Sequence, residues 1–149
     1  MSVALALQKA IRSRLAGAPS VTALVPASNI LDRHQRPAPT PSIILGEAME
    51  LDAETDLQRR RLRVVHTVHV WKTEPSLEGV ATICGAVRDA LRTRLTLPAG
   101  LHLADLRVAG MRTMRDPDGE TSHGAVTIEA LSPGVLRRIE VVEPPYMPP

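Results

Sequence analysis

The alternation of apolar and polar residues changes its period between residues 62 and 91, which marks a strand followed by a helix. Over residues 62–70 apolar positions recur at every second residue, and this period predicts a half-buried strand. Apolar residues then recur at spacings of three and four, as they do on one face of a helix. That face consists of Leu77, Val80, Cys84, Val87 and Leu91. The pattern predicts a helix from about Pro75 or Ser76 to about Leu95.

A hairpin is predicted after this helix. Residues 106–114 and 121–131 both have a strand-like pattern, and the sequence Asp116-Pro117-Asp118-Gly119 between them is typical of a turn. Residues 101–103 are out of phase with the first of these strands, and a β-bulge near Ala104-Asp105 would restore the phase. Strand, helix and hairpin together predict an α+β fold.

The first fifty residues add a second main helix and further strands. Ser2 can cap a helix whose apolar face recurs at helical spacing. That face consists of Val3, Leu7, Ala10, Ile11 and Leu15. Ser20 is expected to cap a short helical turn, residues 29–32 to form a brief strand, and residues 42–49 to form a longer one. We therefore expect an antiparallel sheet with the two main helices packed on one face.

Residues 47–63 carry a run of acids followed by a run of arginines, with no Gly or Pro between them. They predict an acidic strand and a basic strand, joined near residues 53–57, in a long projecting hairpin. In one interpretation opposite charges face each other across a solvated hairpin and contribute about a few tenths of a kcal/mol per pair. In the other, the charges bind complementary surfaces on neighbouring copies, since a head-to-tail contact joins two different patches and favours one acidic and one basic surface per subunit. The subunit interface would then consist of Glu47, Glu50, Asp52, Glu54, Asp56, Arg59, Arg60 and Arg61.

Composition narrows the classes of function. Phe is absent and the only aromatic residues are Trp71 and Tyr146, so a base-stacking platform for single-stranded nucleic acid is not expected. The net charge of +2 is small for a dedicated nucleic-acid binder. Cys84 is the single cysteine, which excludes an intramolecular disulfide and suits a reduced compartment. Apolar runs are too short to span a bilayer, so no membrane contact is expected.

Candidate catalytic and metal-binding residues do not converge in the sequence. His66 and His69 are three residues apart on a predicted strand and would point to opposite faces, His66 partly buried and His69 at the surface. The other three histidines have no Cys or carboxylate at ligand spacing. Asp116 and Asp118 lack the twelve-residue calcium pattern, and no nucleophile elbow or phosphate loop is present. The sequence therefore predicts no catalytic residue, no metal and no cofactor, and a protein that is not an enzyme.

Four segments, in this order and spacing, resemble the tail-completion or tail-terminator proteins of long-tailed phages and gene transfer agents. They are the opening amphipathic helix, the Pro-rich approach to a strand at residues 39–47, the segment His66–Trp71 that leads into the helix of residues 76–91, and the hairpin of residues 115–130. The resemblance covers residues 1–131, which we expect to form one α+β domain. Residues 132–149 are expected to be a C-terminal extension, with an edge strand and a Pro-rich end.

The resemblance implies a structural virion protein that forms a ring, usually of six copies. Such a ring terminates the tail tube and joins it to a head-side connector or stopper protein. The implied partners are therefore the protein itself, the tail tube protein and the connector, with DNA only in passage. The implied location is the neck region of the virion tail, after folding and assembly in the bacterial cytoplasm.

Two other functions remain as alternatives. One is a small basic accessory protein that binds nucleic acid through residues 59–63 with Arg107, Arg112 and Arg115, although nearby carboxylates would repel phosphate. The other is a small α+β ligand-binding or enzymatic domain. It requires a polar pocket of convergent groups, and the sequence pattern does not assemble one.

Overall fold

The computed structural model of the protein describes residues 2–32, 39–53, 61–98 and 101–133. In chain order its helices are α1 (Val3–Ala16), α2 (Pro19–Thr22) and α3 (Glu78–Ala90), with a 3₁₀ turn at Ala27–Asn29. Its strands are β1 (Ile30–Leu31), β2 (Ser42–Asp52), β3 (Leu62–Thr73), β4 (Asp105–Arg115) and β5 (Thr121–Ser132). The predicted α+β class is confirmed.

The strands form one mixed sheet in the order β1-β2-β3-β5-β4. All neighbouring pairs are antiparallel except β1 and β2, which pair in parallel, with Ile30 opposite Ile43. The prediction of a purely antiparallel sheet is therefore wrong at this edge. Ten residues separate β1 from β2, and such a separation does not impose the reversal that a two-residue hairpin turn imposes.

The alternating pattern of the central strands is confirmed by their burial. Val64, Val68 and Val70 of β3 are buried, and β5 buries every second residue from Ser122 to Ser132. Apolar residues of α1 and α3 belong to the same core cluster as these strand residues. α3 lies close against β5 at Gly124, because a Cβ atom there would lie 3.0 Å from Val80 Cγ1 and closer still to Cys84 Sγ.

The N-terminal helices begin at different kinds of cap. The Ser2 side chain accepts a hydrogen bond from the Leu5 N–H at 3.1 Å, so the predicted cap of α1 is confirmed. The predicted cap of α2 is wrong: Ala18 occupies the cap position without a side-chain bond, and Pro19 starts the helix. Proline is suited to that first position because its φ is already close to the helical value and its missing N–H has no helical partner.

α3 is shorter than the sequence predicted at both ends. Leu77 occupies its N-cap and is only half-buried, while Ile83, which the predicted face omitted, is buried. The Glu74 carboxylate accepts hydrogen bonds from the N–H groups of Gly79 at 3.2 Å and Val80 at 2.9 Å. A carboxylate at this end compensates the free N–H groups and the positive end of the dipole.

The C-terminal end of α3 is held by a residue distant in sequence. The guanidinium of Arg14, from α1, donates to the carbonyls of Ala90 at 3.0 Å, Thr93 at 3.2 Å and Arg94 at 2.9 Å, and also to the Thr93 hydroxyl. The last carbonyls of a helix have no partner within it. Within the helix the Val87, Arg88 and Asp89 carbonyls accept backbone N–H groups of Leu91 and Arg92, and Arg14 supplies the partner of the Ala90 carbonyl from another element. The helix ends at Ala90, before the predicted Leu95.

The hairpin of β4 and β5 has the predicted turn. Gly119 has a φ of +74°, and the Asp118 carboxylate accepts from the N–H groups of Glu120 and Thr121, both at 2.8 Å. The β-bulge lies between Val108 and Gly110 rather than near Ala104-Asp105 as predicted. The extra residue reverses the alternation of β4, so that the core side is taken by Leu106 and Val108 before it and by Met111 and Thr113 after it.

Candidate assembly surface

The strands on which the charged hairpin was predicted are β2 and β3. Their pairing continues to Asp52 opposite Leu62, and the Ala53 N–H donates to the Arg61 carbonyl at 3.0 Å. Of the eight predicted interface residues, Glu47, Glu50, Asp52 and Arg61 belong to the described part of the chain, and all four are exposed. The other four, Glu54, Asp56, Arg59 and Arg60, lie outside the described residues, so the projecting hairpin stays a prediction.

One of these acids has an intramolecular role. Glu50 Oε1 accepts the Ala4 N–H, in the first turn of α1, at 3.0 Å. A carboxylate in this position stabilises the positive end of the helix. Glu50 therefore ties β2 to α1, and replacing it would disturb the monomer as well as an interface.

The acids of β2 do not pair with the described arginines of β3. Arg63 lies opposite Leu51, and its Nε binds Glu129 of β5 at 3.2 Å. Glu129 also binds Arg107 of β4 at 3.1 Å. Within the described ranges no acid of β2 forms an ion pair with Arg61 or Arg63. The interpretation in which opposite charges face each other across a solvated hairpin therefore has no support from these residues.

The same contacts bear on nucleic-acid binding. Glu129 is shared between Arg63 and Arg107, and Arg115 donates to the Pro75 carbonyl at 2.7 Å. Three of the arginines that a phosphate-binding surface would use are thus engaged within the monomer. Each of these arginines would have to give up its contact within the monomer in order to bind a phosphate.

Large apolar side chains are exposed at both edges of the sheet. Met49 and Leu51, on alternate positions of β2, are 59% and 41% exposed, and Met111 of β4 is 37% exposed. The charge pattern of residues 47–63 does not predict these exposed apolar side chains. The alternation of Met49 and Leu51 with Glu50 and Asp52 is the sequence feature that indicates an apolar side of this strand.

Side chains of β2, β3 and β5 form a polar stack on the side of the sheet opposite His66. His69 Nδ1 lies 2.8 Å from His123 Nε2, and the other ring nitrogen of His69 lies 3.4 Å from a Glu47 oxygen. The ring of Trp71 stacks on His123 with centroids 3.9 Å apart. Burial and the proximity of His69 lower the pKa of His123, while a backbone hydrogen bond and His69 lower the pKa of Glu47. His69 is thus half-buried and partnered, whereas the sequence placed it at the surface.

His66 is fully buried, not partly buried as predicted. It shares the core side of β3 with Val64 and Val68, and its ring nitrogens have no hydrogen-bond partner among the described residues. Burial is the main cause that lowers its pKa. Because the folded protein disfavours the charged form of His66, we expect His66 to make the stability of the fold sensitive to acid.

We expect the free energy of unfolding to decrease as the pH falls from about 7 to 5. The folded protein holds His66 neutral, whereas the unfolded chain takes up a proton near the usual imidazole pKa of about 6.5. The unfolded state then binds more protons, so acid favours it. Urea denaturation of the wild type and His66→Leu at pH 8 and pH 5 measures the effect. The variant should lose less stability on acidification, and equal losses in the two proteins would contradict this role of His66.

In the cleft beside α3, the charged side chains among the described residues are already paired with each other or with the backbone. A cleft of about 320 Å³ beside the start of α3 is lined in part by Lys72 and Glu74. These two lie 3.7 Å apart as an ion pair, and the Glu74 carboxylate already accepts the helix N–H groups. In the described ranges no three His, Cys, Asp or Glu side chains converge as metal ligands. No described helix is both long and apolar enough to cross a membrane.

Comparison with known proteins identifies the family. The sequence matches the family described as Tail completion protein gp17 over residues 9–132. A chain in the structure "Virion of native gene transfer agent (GTA) particle" is similar to this one, with 22% identity, 88% of this chain and 97% of that chain covered, and a TM-score of 0.71. The bacteriophage SPP1 gp17 protein is similar with 21% identity, 85% and 88% covered, and a TM-score of 0.54. No curated protein matches the sequence. The chain belongs to the tail completion protein gp17 family, a family of structural phage tail proteins.

Proposed function

We propose that the protein forms a ring, of six copies, that terminates the tail tube and joins it to the head-side connector. The observation that carries this proposal is the family match over residues 9–132. The similarity to a chain of a gene transfer agent virion, which extends over 88% of this chain, supports the same role. The partners are then further copies of the chain, the tail tube protein and a connector or stopper protein.

The distribution of charge suits a head-to-tail ring. Such a ring joins two different patches of each subunit, so it favours one acidic and one basic surface. Glu47 and Asp52 of β2 are exposed acids that lack an arginine partner among the described residues, and the basic residues 59–61 follow directly in the sequence. In the proposed subunit α1 and α3 cover one face of the sheet, and the charged hairpin projects to a neighbour.

Reversing the charge of Arg59, Arg60 and Arg61 to Glu is expected to block ring formation while leaving the monomer folded. Each change would place like charges against the acids of the neighbouring copy. Native mass measurement of the full chain, alone and with the tail tube protein of the same particle, shows which species form. If the triple variant forms rings as abundantly as the wild type does, the hairpin is not part of the interface.

A compensating partner makes this experiment more specific. The partner carries Glu54→Lys and Asp56→Lys, and mixed with the triple variant it should restore mixed assemblies. Glu50 is left unchanged, because its carboxylate holds the Ala4 N–H and its loss would disturb α1. The ring itself is tested by the wild type, whose failure to exceed a monomer with or without tube protein would overturn the proposed function.

The nucleic-acid alternative predicts a different result. We expect no measurable duplex DNA binding by the free protein at physiological salt up to micromolar concentrations, because Arg63, Arg107 and Arg115 are engaged within the monomer. A tail-end ring must also let DNA slide through, and many phosphate contacts would hold it. Fluorescence anisotropy with a labelled duplex over a range of salt concentrations measures this. A salt-sensitive complex at nanomolar concentration would favour the accessory-protein alternative.

A further inference from the structure

We infer that neighbouring copies join edge to edge, with β4 of one copy pairing with residues 46–52 of β2 of the next, so that the sheet continues around the ring. This inference rests on the proposed ring and specifies the contact that closes it. It concerns strand edges, and is separate from the charges at the tip of the hairpin. The occupant of each edge is therefore a second copy of the chain.

Both strand edges are unpaired in the described part of the monomer. β4 is the end strand of the sheet, and β1 covers β2 only at Ile43 and Ile44. This leaves residues 46–52 of β2 and residues 105–115 of β4 with outward peptide groups. Unpaired edges of this length template pairing with another chain unless they are covered.

The hydrogen bonds at the strand ends identify which peptide groups point outward. The Asp116 N–H donates to the Thr121 carbonyl, and the Ala53 N–H donates to the Arg61 carbonyl. Peptide groups of an antiparallel strand alternate in direction, so those of Met111 and Thr113 point away from β5. By the same alternation, those of Ala48, Glu50 and Asp52 point away from β3.

The two sets of outward residues carry their side chains on the same side of the sheet. Thr113 lies opposite Gly124 and Glu50 lies opposite Val64, and both partners belong to the core side. Residues that exchange hydrogen bonds across an antiparallel pair have side chains on one face. The core side of one copy therefore continues into the core side of the next.

The strand directions also agree. β2, β3, β5 and β4 are successively antiparallel, so β4 runs antiparallel to β2 within one subunit. Rotation about an axis along the strands preserves these directions from copy to copy. The new pair is then antiparallel, the slightly more stable arrangement, and a heterologous contact of this kind forms a ring where the rotation from copy to copy closes.

The edges of β2 and β4 carry opposite charge, and both carry exposed apolar side chains. Residues 46–52 carry three acids and no basic residue, while β4 carries three arginines and one aspartate. Met49, Leu51 and Met111, three of the five large apolar side chains exposed in the described residues, lie on these same edges. Cross-strand pairing would cover part of these side chains. It would also bring Arg115, which lies opposite the buried Ser122, to the same side of the sheet as Glu50 and Asp52.

Thr113→Pro tests the contact with a change of one outward peptide group. Proline removes the outward N–H of Thr113 and leaves the inward ladder to β5 intact, as proline on an edge strand does. We expect the equilibrium constant of each interface to fall by about tenfold or more, so that rings disappear at concentrations where the wild type forms them. Thr113→Ala, which keeps the N–H, should assemble as the wild type does. Circular dichroism and thermal unfolding verify that both monomers fold.

A charge exchange provides a second, independent test. Met111→Glu places an acid on β4, and Asp52→Lys places a base on β2. Met111 lies opposite Val126, and Asp52 is two residues after Glu50, so both side chains are on the core side of the sheet. Each variant alone puts like charges at the interface and should fail to form rings. Mixed in equal amounts, the two should form rings of alternating copies. In such rings the acid introduced at position 111 meets the base introduced at position 52, and the unchanged Met111 meets the unchanged Asp52.

The outcomes separate this inference from the ring itself. Wild-type rings together with equally abundant Thr113→Pro rings would overturn edge pairing and leave the proposed function standing. Absence of mixed rings from the charge-exchanged pair would also count against edge pairing. A wild type that forms no ring with its tube protein would overturn both proposals.

Discussion

Leu91→Ala is expected to lower the free energy of unfolding by about 2–5 kcal/mol, the usual cost of truncating a buried leucine. Leu91 is 3% exposed and belongs to the core cluster with Val87 and Leu95. It lies just after α3, where the contacts of Arg14 fix the chain, so the surroundings have little freedom to close the cavity. Urea denaturation followed by circular dichroism measures the change.

Leu24→Ala is the matched control, because Leu24 is 39% exposed. Its loss should be within about 0.5 kcal/mol, as for most surface substitutions. Cys84 provides a second readout, since burial raises the pKa of its thiol to about 11 and keeps it from reagents in the native state. Cys84 should therefore be labelled faster in Leu91→Ala than in the wild type. Rapid labelling of the native wild type would show that the α3 face is open to solvent.

Gly124→Ala is expected to destabilise the protein by about 1–3 kcal/mol, the usual cost of adding an atom to a packed core. The added Cβ would lie 3.0 Å from Val80 Cγ1, 3.5 Å from Val70 Cβ and closer still to Cys84 Sγ. α3 would have to move away from the sheet to accommodate it. Thermal and urea unfolding of the variant measure the loss.

Two further variants separate crowding from the general effect of replacing glycine. Gly110→Ala has open space around the added Cβ and should be close to neutral or slightly stabilising. Adding Cys84→Ala to Gly124→Ala removes the sulfur that the new Cβ meets. The two changes should therefore be less destabilising together than the sum of their separate effects. Strict additivity would show that α3 does not approach the sheet at Gly124.

The local pattern of residues determined the elements that depend on neighbours in sequence. The apolar period of α1, the alternation of β3 and β5 and the turn at Asp118-Gly119 are all short-range signals, and each is present as predicted. The same order of elements supported the resemblance to tail-completion proteins, which the family match confirms. Of the predicted interface, the sequence located the charged residues but could not assign partners to them.

Tertiary structure alone decided the features that join distant parts of the chain. Arg14 binds the last carbonyl of α3, Glu50 accepts an N–H of the first turn of α1, and Glu129 links Arg63 to Arg107, each through contacts between residues more than twenty positions apart. Among the described residues, the parallel pairing of β1 and the order of the strands determine which strand edges are unpaired, and the period of apolar residues does not predict this. The physical reason is that a period reports which face of an element is apolar, whereas partners and free edges depend on which elements the folded chain brings together.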